Sequence, residues 1–125
     1  MNILLIEDDY LMRTGLGLIL LEWGYSVTGA KNGEEALQNI KENKTIDLII
    51  CDIFMPELSG PGFLLKLKQI YPKNFPKVLV MSAVKNPDEF LKKLEVKYDV
   101  FLSKPIDFMH LKNVLANLLG ANSKA

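Results

Sequence analysis

Acidic residues follow two short apolar runs in this 125-residue chain: Glu7, Asp8 and Asp9 after Ile3-Leu4-Leu5-Ile6, and Asp52 after Leu48-Ile49-Ile50-Cys51. Two further apolar runs exit into Ser82 and into Ser103-Lys104-Pro105. If the runs are parallel strands, ligands gather beyond their carboxyl ends near the point where strand order reverses, and these polar residues share one rim. Three carboxylates crowded there, Asp8, Asp9 and Asp52, would repel one another, and one would rise in pKa unless a cation sat among them. Asp oxygens with water and a main-chain carbonyl suit Mg²⁺, which prefers six oxygens and usually shares its shell with a phosphate. Adjacent strands lie about 4.8 Å apart, so Ser82 stands one spacing from Asp52 and Lys104 about 10 Å away. A hydroxyl suffices for the first; only a long side chain bridges the second. Carboxylate, divalent cation, ammonium and hydroxyl together can neutralise a transferring phosphoryl group. Asp52 is then the candidate nucleophile, giving an acyl phosphate.

The elements that must deliver these residues are legible in the apolar pattern. Short runs alternate five times with longer stretches of helical period, which predicts β–α units around a parallel sheet. The strands are expected at Ile3 to Ile6, Tyr25 to Ala30, Leu48 to Cys51, Val78 to Met81 and Val100 to Leu102. Four are continuously apolar, as strands covered on both faces must be, whereas the second carries Ser26, Thr28 and Gly29 and reads as an edge. The first helix is expected from about Tyr10 to Trp23, stopped by Gly24. Gly15 and Gly17 inside it cost about 1 kcal/mol each relative to Ala, and are expected to mark close approach of helix to sheet. A second helix starts at Gly33-Glu34-Glu35 with Ala36, Leu37 and Ile40 on one face. A third follows Ser59-Gly60-Pro61 with Phe63, Leu64, Leu67 and Ile70 inward. A fourth opens at Asn86-Pro87-Asp88-Glu89, and a fifth runs from about Phe108 to Leu119, ending at Gly120. Right-handed crossovers leave few sheets for five such units, and the working fold is a single α/β doubly wound sheet, order 2-1-3-4-5, flavodoxin-like. The domain is expected over residues 1–120, with 121–125 a short polar tail.

Composition removes several classes of function. Lys plus Arg and Asp plus Glu both number 15, so no net field draws the chain to nucleic acid or to anionic lipid. The longest apolar run, Leu16 to Leu21, is far short of the roughly 20 residues that span a bilayer. The first residues lack a positive segment and reach acid at Glu7, unlike a signal peptide, so the expectation is a soluble, cytoplasmic chain. A lone Cys51 cannot form an internal disulfide, and with a single His110 it supplies no zinc-type site.

Four segments, Ile3-Leu4-Leu5-Ile6-Glu7-Asp8-Asp9, Cys51-Asp52-Ile53-Phe54-Met55-Pro56, Met81-Ser82-Ala83 and Ser103-Lys104-Pro105, occur in order at strand ends. Asp8, Asp52, Ser82 and Lys104 are separated by 44, 30 and 22 residues. In these respects the whole chain resembles the response-regulator receiver (CheY-like) family. The resemblance implies a phosphoacceptor with at most weak autophosphatase activity, not an enzyme. Asp52 would receive phosphate from a phosphohistidine of a sensor histidine kinase or a histidine phosphotransfer protein. Asp8 and Asp9 would hold Mg²⁺, completed by Asp52 and the main-chain carbonyl of Phe54. Ser82 would follow the phosphoryl oxygen, Lys104 would pair with it, and Phe101 would be the aromatic that turns inward. The output would be a face that binds a downstream protein target, with no direct contact to nucleic acid or membrane. The resemblance also implies a cis bond at Lys104-Pro105. Ser59 and the stretch Glu95-Val96-Lys97-Tyr98-Asp99 depart from the family pattern, and Phe101 lacks the hydroxyl of the commoner Tyr.

Other readings remain open at this point. Asp8 and Asp9 could serve a helix N-terminus, where acids cap free N–H groups. A haloacid-dehalogenase-type enzyme would need a second Asp two residues after the nucleophile, where Phe54 stands. A flavodoxin-like FMN carrier would want a Ser/Thr/Gly-rich first loop in place of Glu7-Asp8-Asp9. A pseudo-receiver that docks without taking phosphate, or a receiver cut from a hybrid kinase or a DNA-binding regulator, would share the fold.

Overall fold

Apolar residues on both faces of a strand must be covered from both sides, and helices packed on either face of a parallel sheet do this. The computed structural model describes residues 1–42, 45–53, 60–70, 75–83, 92 and 97–120. Its strands are β1 (Asn2–Ile6), β2 (Ser26–Ala30), β3 (Leu48–Asp52), β4 (Lys77–Ser82) and β5 (Val100–Ser103). All pair in parallel, in the order β2-β1-β3-β4-β5. Strand order reverses between β1 and β3, as expected for a doubly wound sheet. The half-polar β2 is the edge beside β1.

Four helices stand among the described residues: α1 (Tyr10–Glu22), α2 (Gly33–Glu42), α3 (Gly60–Ile70) and α4 (Phe108–Leu119). Alternation along the strands sorts the core into two layers. Leu4, Ile6, Ile49, Cys51, Val78 and Val80 pack with Ala36 and Ile40 of α2 and with Phe63, Leu64 and Leu67 of α3. Ile3, Leu5, Leu48, Ile50, Leu79, Met81 and Leu102 pack with Leu16 and Leu20 of α1 and with Leu111, Leu115 and Leu119 of α4. The helix expected from Asn86 lies outside the described residues, as do Ser59, Phe54 and the tail after Gly120.

Helix ends follow their side chains. Asp9 caps α1 and Asp107 caps α4, each accepting two backbone N–H groups of the first turn. Gly24 (φ +97°) follows α1 and Gly120 (φ +77°) closes α4, both in the left-handed region that glycine occupies without strain. Two expectations are corrected. A Cβ built on Gly15 or on Gly17 would meet nothing within 4 Å, so neither glycine serves close packing of α1 on the sheet. Ile70, expected inward, is 46% exposed, because the last turn of α3 carries it past the sheet-facing stripe formed by Phe63, Leu64 and Leu67.

Burial of a Leu or Ile side chain is worth about 1.5–3 kcal/mol, and a cavity adds to the loss when it is truncated. Leu5 is fully buried in β1, whereas Leu18 stands on the exposed side of α1. Leu5→Ala should therefore cost about 2–5 kcal/mol in urea unfolding, and Leu18→Ala should stay within about 0.5 kcal/mol of the parent.

Candidate functional site

Strand register decides which polar residues meet. Leu5 pairs with Ile50 and Ile6 with Cys51, so the next pair along β1 and β3 is Glu7 with Asp52. Asp52 is in register with Met81, and Met81 with Leu102, which places Lys104 two residues farther along β5 on the same side of the sheet. Lys104 reaches back across the end of β4. Its Nζ donates to Asp52 Oδ2 at 2.7 Å and to Glu7 Oε1 at 2.6 Å. The long side chain bridges the gap that spacing alone predicts for Lys104 and Asp52.

Carboxylate oxygens of Glu7, Asp8 and Asp52 all lie within 4.8 Å of one another. The expected pair was Asp8 and Asp9; the structure brings Glu7 and Asp8 to Asp52 and sets Asp9 at the start of α1. Asp9 Oδ1 accepts from the N–H groups of Leu11 (2.9 Å) and Met12 (3.4 Å), which spends its carboxylate on the N-terminus of α1. The Asp9 backbone N–H meanwhile donates to Glu7 Oε2 at 3.1 Å. Glu7, the first of three acids at the exit of β1, was passed over because Asp8-Asp9 offers an Asp doublet. Side-chain parity was the available signal, since Ile3, Leu5 and Glu7 alternate onto one face, as do Ile50 and Asp52.

Burial and charge act against each other here. Burial pushes the Glu7 carboxyl above its usual range, and the Lys104 hydrogen bond only partly opposes it. Burial would lower Lys104, yet its hydrogen bonds to Asp52 and Glu7 outweigh this and hold it above the ordinary lysine value. Asp52 is only 6% exposed. The Cys51 side chain faces the opposite layer, among α2 and α3 residues, and burial with the nearby Asp52 and Glu7 charges drives its thiol strongly upward. It is an inert packing group.

Ser82 ends β4 and is buried, and its carbonyl accepts from the Lys104 N–H at 2.9 Å. Phe101, beside Val80 in register, is half-buried against the layer under α2 and α3. The Lys104–Pro105 peptide is cis. Hard carboxylate oxygens, three of them converging, form a donor set that fits an oxygen-preferring divalent cation.

A family model described as the response regulator receiver domain matches residues 3–116. The chain belongs to the response regulator receiver family. The receiver is 37% identical over 118 residues to the transcriptional regulatory protein ZraR of Klebsiella oxytoca, an alignment covering 94% of this chain and 26% of that protein. It thus spans about a quarter of the length of that curated relative. Among solved structures, chemotaxis protein CheY4 of Vibrio cholerae superposes with a TM-score of 0.84 at 25% identity, covering 94% of this chain and 97% of that one. The receiver domain of a signal transduction histidine kinase from Syntrophus aciditrophicus gives 0.82 at 30% identity, covering 96% and 90%. Receivers accept phosphate and are not enzymes acting on a substrate of their own. No helix among the described residues is long and apolar enough to cross a membrane.

Two predictions come from this geometry. Asp9→Ala removes a cap and should cost about 1 kcal/mol in urea unfolding while leaving Mg²⁺ affinity in calorimetry unchanged; Asp8→Asn should weaken that affinity. Lys104, raised in the folded state, contributes stability that is full below the ordinary lysine pKa and lost as pH climbs through the raised value. In alkaline unfolding, the stability gap between the parent and Lys104→Met should therefore be widest near neutrality and close above about pH 10.4.

Proposed function

We propose that this receiver takes a phosphoryl group onto an Asp52 carboxylate oxygen from a phosphohistidine of a sensor histidine kinase or a phosphotransfer protein. The observation that carries the reading is Lys104 Nζ held between Asp52 and Glu7, beside the third carboxylate of Asp8. An Asp52 oxygen attacks phosphorus, the phosphorus–nitrogen bond breaks, and the donor imidazole leaves with the bonding electrons. Mg²⁺, when bound, supplies countercharge to the phosphoryl oxygens. Glu7, Asp8 and Asp52 are the side chains that would hold it, with the Phe54 carbonyl, which lies outside the described residues, as the remaining protein oxygen. Asp9 is left to its cap.

Lys104 meets the same charge from the other side, and Ser82 stands at the end of the neighbouring strand to follow the phosphoryl oxygen. Phe101, half-buried between core and surface, is the aromatic that repacks with it. The two arrangements differ in the face made by the segment between β4 and β5, by β5 itself and by α4, and that face binds a downstream protein. The domain is residues 1–120, working in the cytoplasm. A DNA-reading output, where there is one, belongs to another domain, because this chain has no net positive charge.

Incubation with acetyl phosphate and Mg²⁺ should add one phosphoryl group by mass spectrometry, and Asp52→Asn should abolish the gain. Lys104→Ala should retain Mg²⁺ binding and lose the phosphorylation-dependent change in partner binding. A parent protein that gains no mass under these conditions would be a docking module instead.

A further inference from the structure

Arg13, in the first turns of α1, is used by none of the chemistry above, yet it grips the segment that carries two of the three carboxylates. Its Nη1 donates to the Glu7 carbonyl at 2.7 Å, and the Asp8 carbonyl stands at the outer limit of the same group's reach, 3.5 Å. The guanidinium carbon lies 5.6 Å from the centre of the Tyr10 ring, within cation–π reach. The stem crosses the edge strand at Gly29: a Cβ there would stand 3.4 Å from Arg13 Cδ and 3.5 Å from Cγ. Gly29 is the register partner of Leu5, two residues before Glu7. The Glu7 N–H donates to the Ala30 carbonyl at 3.0 Å, so both backbone groups of Glu7 are tied down, one by β2 and one by Arg13.

We infer that Arg13 is a positioning residue: by holding the Glu7 and Asp8 carbonyls, it aims those carboxylates at Asp52 and sets the affinity of the site for a divalent cation. The inference rests on the phosphoacceptor reading of the site. The sign of the effect is diagnostic. Removing a positive charge near an acidic cluster would by electrostatics alone tighten cation binding. Loss of positioning weakens it, and outer partners that orient metal ligands typically contribute 10- to 100-fold in affinity.

The test compares the parent, Arg13→Met and Arg13→Lys by Mg²⁺ titration calorimetry, urea unfolding and ¹H–¹⁵N spectra taken without Mg²⁺. Arg13→Met, which keeps most of the stem and loses the head, should bind Mg²⁺ about tenfold more weakly under conditions where it is fully folded. The Asp8 and Asp9 amide resonances should move before any ion is added. Arg13→Lys restores the charge and a donor for one carbonyl and should recover part of the affinity. A folded Arg13→Met that binds Mg²⁺ within about twofold of the parent, or more tightly, overturns the inference; the tenfold criterion is the low end of the outer-partner range. Should Arg13→Met fail to fold, Arg13→Lys decides: weaker binding supports the assignment, and parental affinity with unmoved Asp8 and Asp9 amides overturns it. Acetyl phosphate labelling of the parent separates the two levels. A labelled parent with an insensitive Arg13→Met sinks only the role of Arg13, whereas a parent that neither binds Mg²⁺ nor takes phosphate sinks the phosphoacceptor reading and this inference with it.

Discussion

One ammonium group between two buried carboxylates organises the functional end of this sheet. Lys104 comes from the strand farthest from β1, crosses the end of β4 and closes on Asp52 and Glu7 at hydrogen-bond distances. Taking three charges out of water is unfavourable unless each is paired and hydrogen-bonded. The pairing requires the ends of β1, β3 and β5 to hold their relative heights, and the continuous parallel register supplies that constraint. A one-residue slip of any strand would turn its side chain to the opposite layer. The two-layer core therefore fixes the site as well as the fold.

Charge counting explains why such a cluster should attract a divalent cation. With Glu7, Asp8 and Asp52 ionised and Lys104 protonated, the group carries a formal charge of −2. Lys104 satisfies only one oxygen of each carboxylate it touches. Asp8, exposed at the rim, is left open to solvent. The cluster thus combines a buried half that Lys104 neutralises only in part with an open, acidic half. A buried pair alone would be structural, and an exposed acid alone would be a solvated helix end.

The sequence made the scaffold legible because burial on both faces leaves a direct trace: Leu48-Ile49-Ile50-Cys51 and Val78-Leu79-Val80-Met81 have no polar position to offer water. The meeting of Asp52 and Lys104 was readable for the same reason, since each stands just beyond such a run. Glu7 was harder. Reading Asp8-Asp9 as the acidic pair passes over the alternation that puts Glu7 on the same face as Ile3 and Leu5, beside Asp52. The competing demand of α1 for a cap then decided the fate of Asp9, and a cap and a ligand look alike in sequence. Gly15 and Gly17 failed as packing markers because a glycine's effect on helix propensity says nothing about which face it occupies.

The same reasoning bears on what ties the acidic segment to the rest of the molecule. Residues 7–9 leave the sheet as loop, and loops are ordinarily the most mobile parts of a fold. Here the segment is held at three of its backbone groups: the Glu7 N–H by β2, the Glu7 carbonyl by Arg13, and the Asp9 N–H by the Glu7 side chain itself. The Asp9 carboxylate then locks the start of α1 immediately downstream. Preorganised ligands lose less freedom when they close on an ion than a flexible acidic tract would. A short acidic stretch thus becomes a site through the hydrogen bonds that hold its backbone, not through its charge alone.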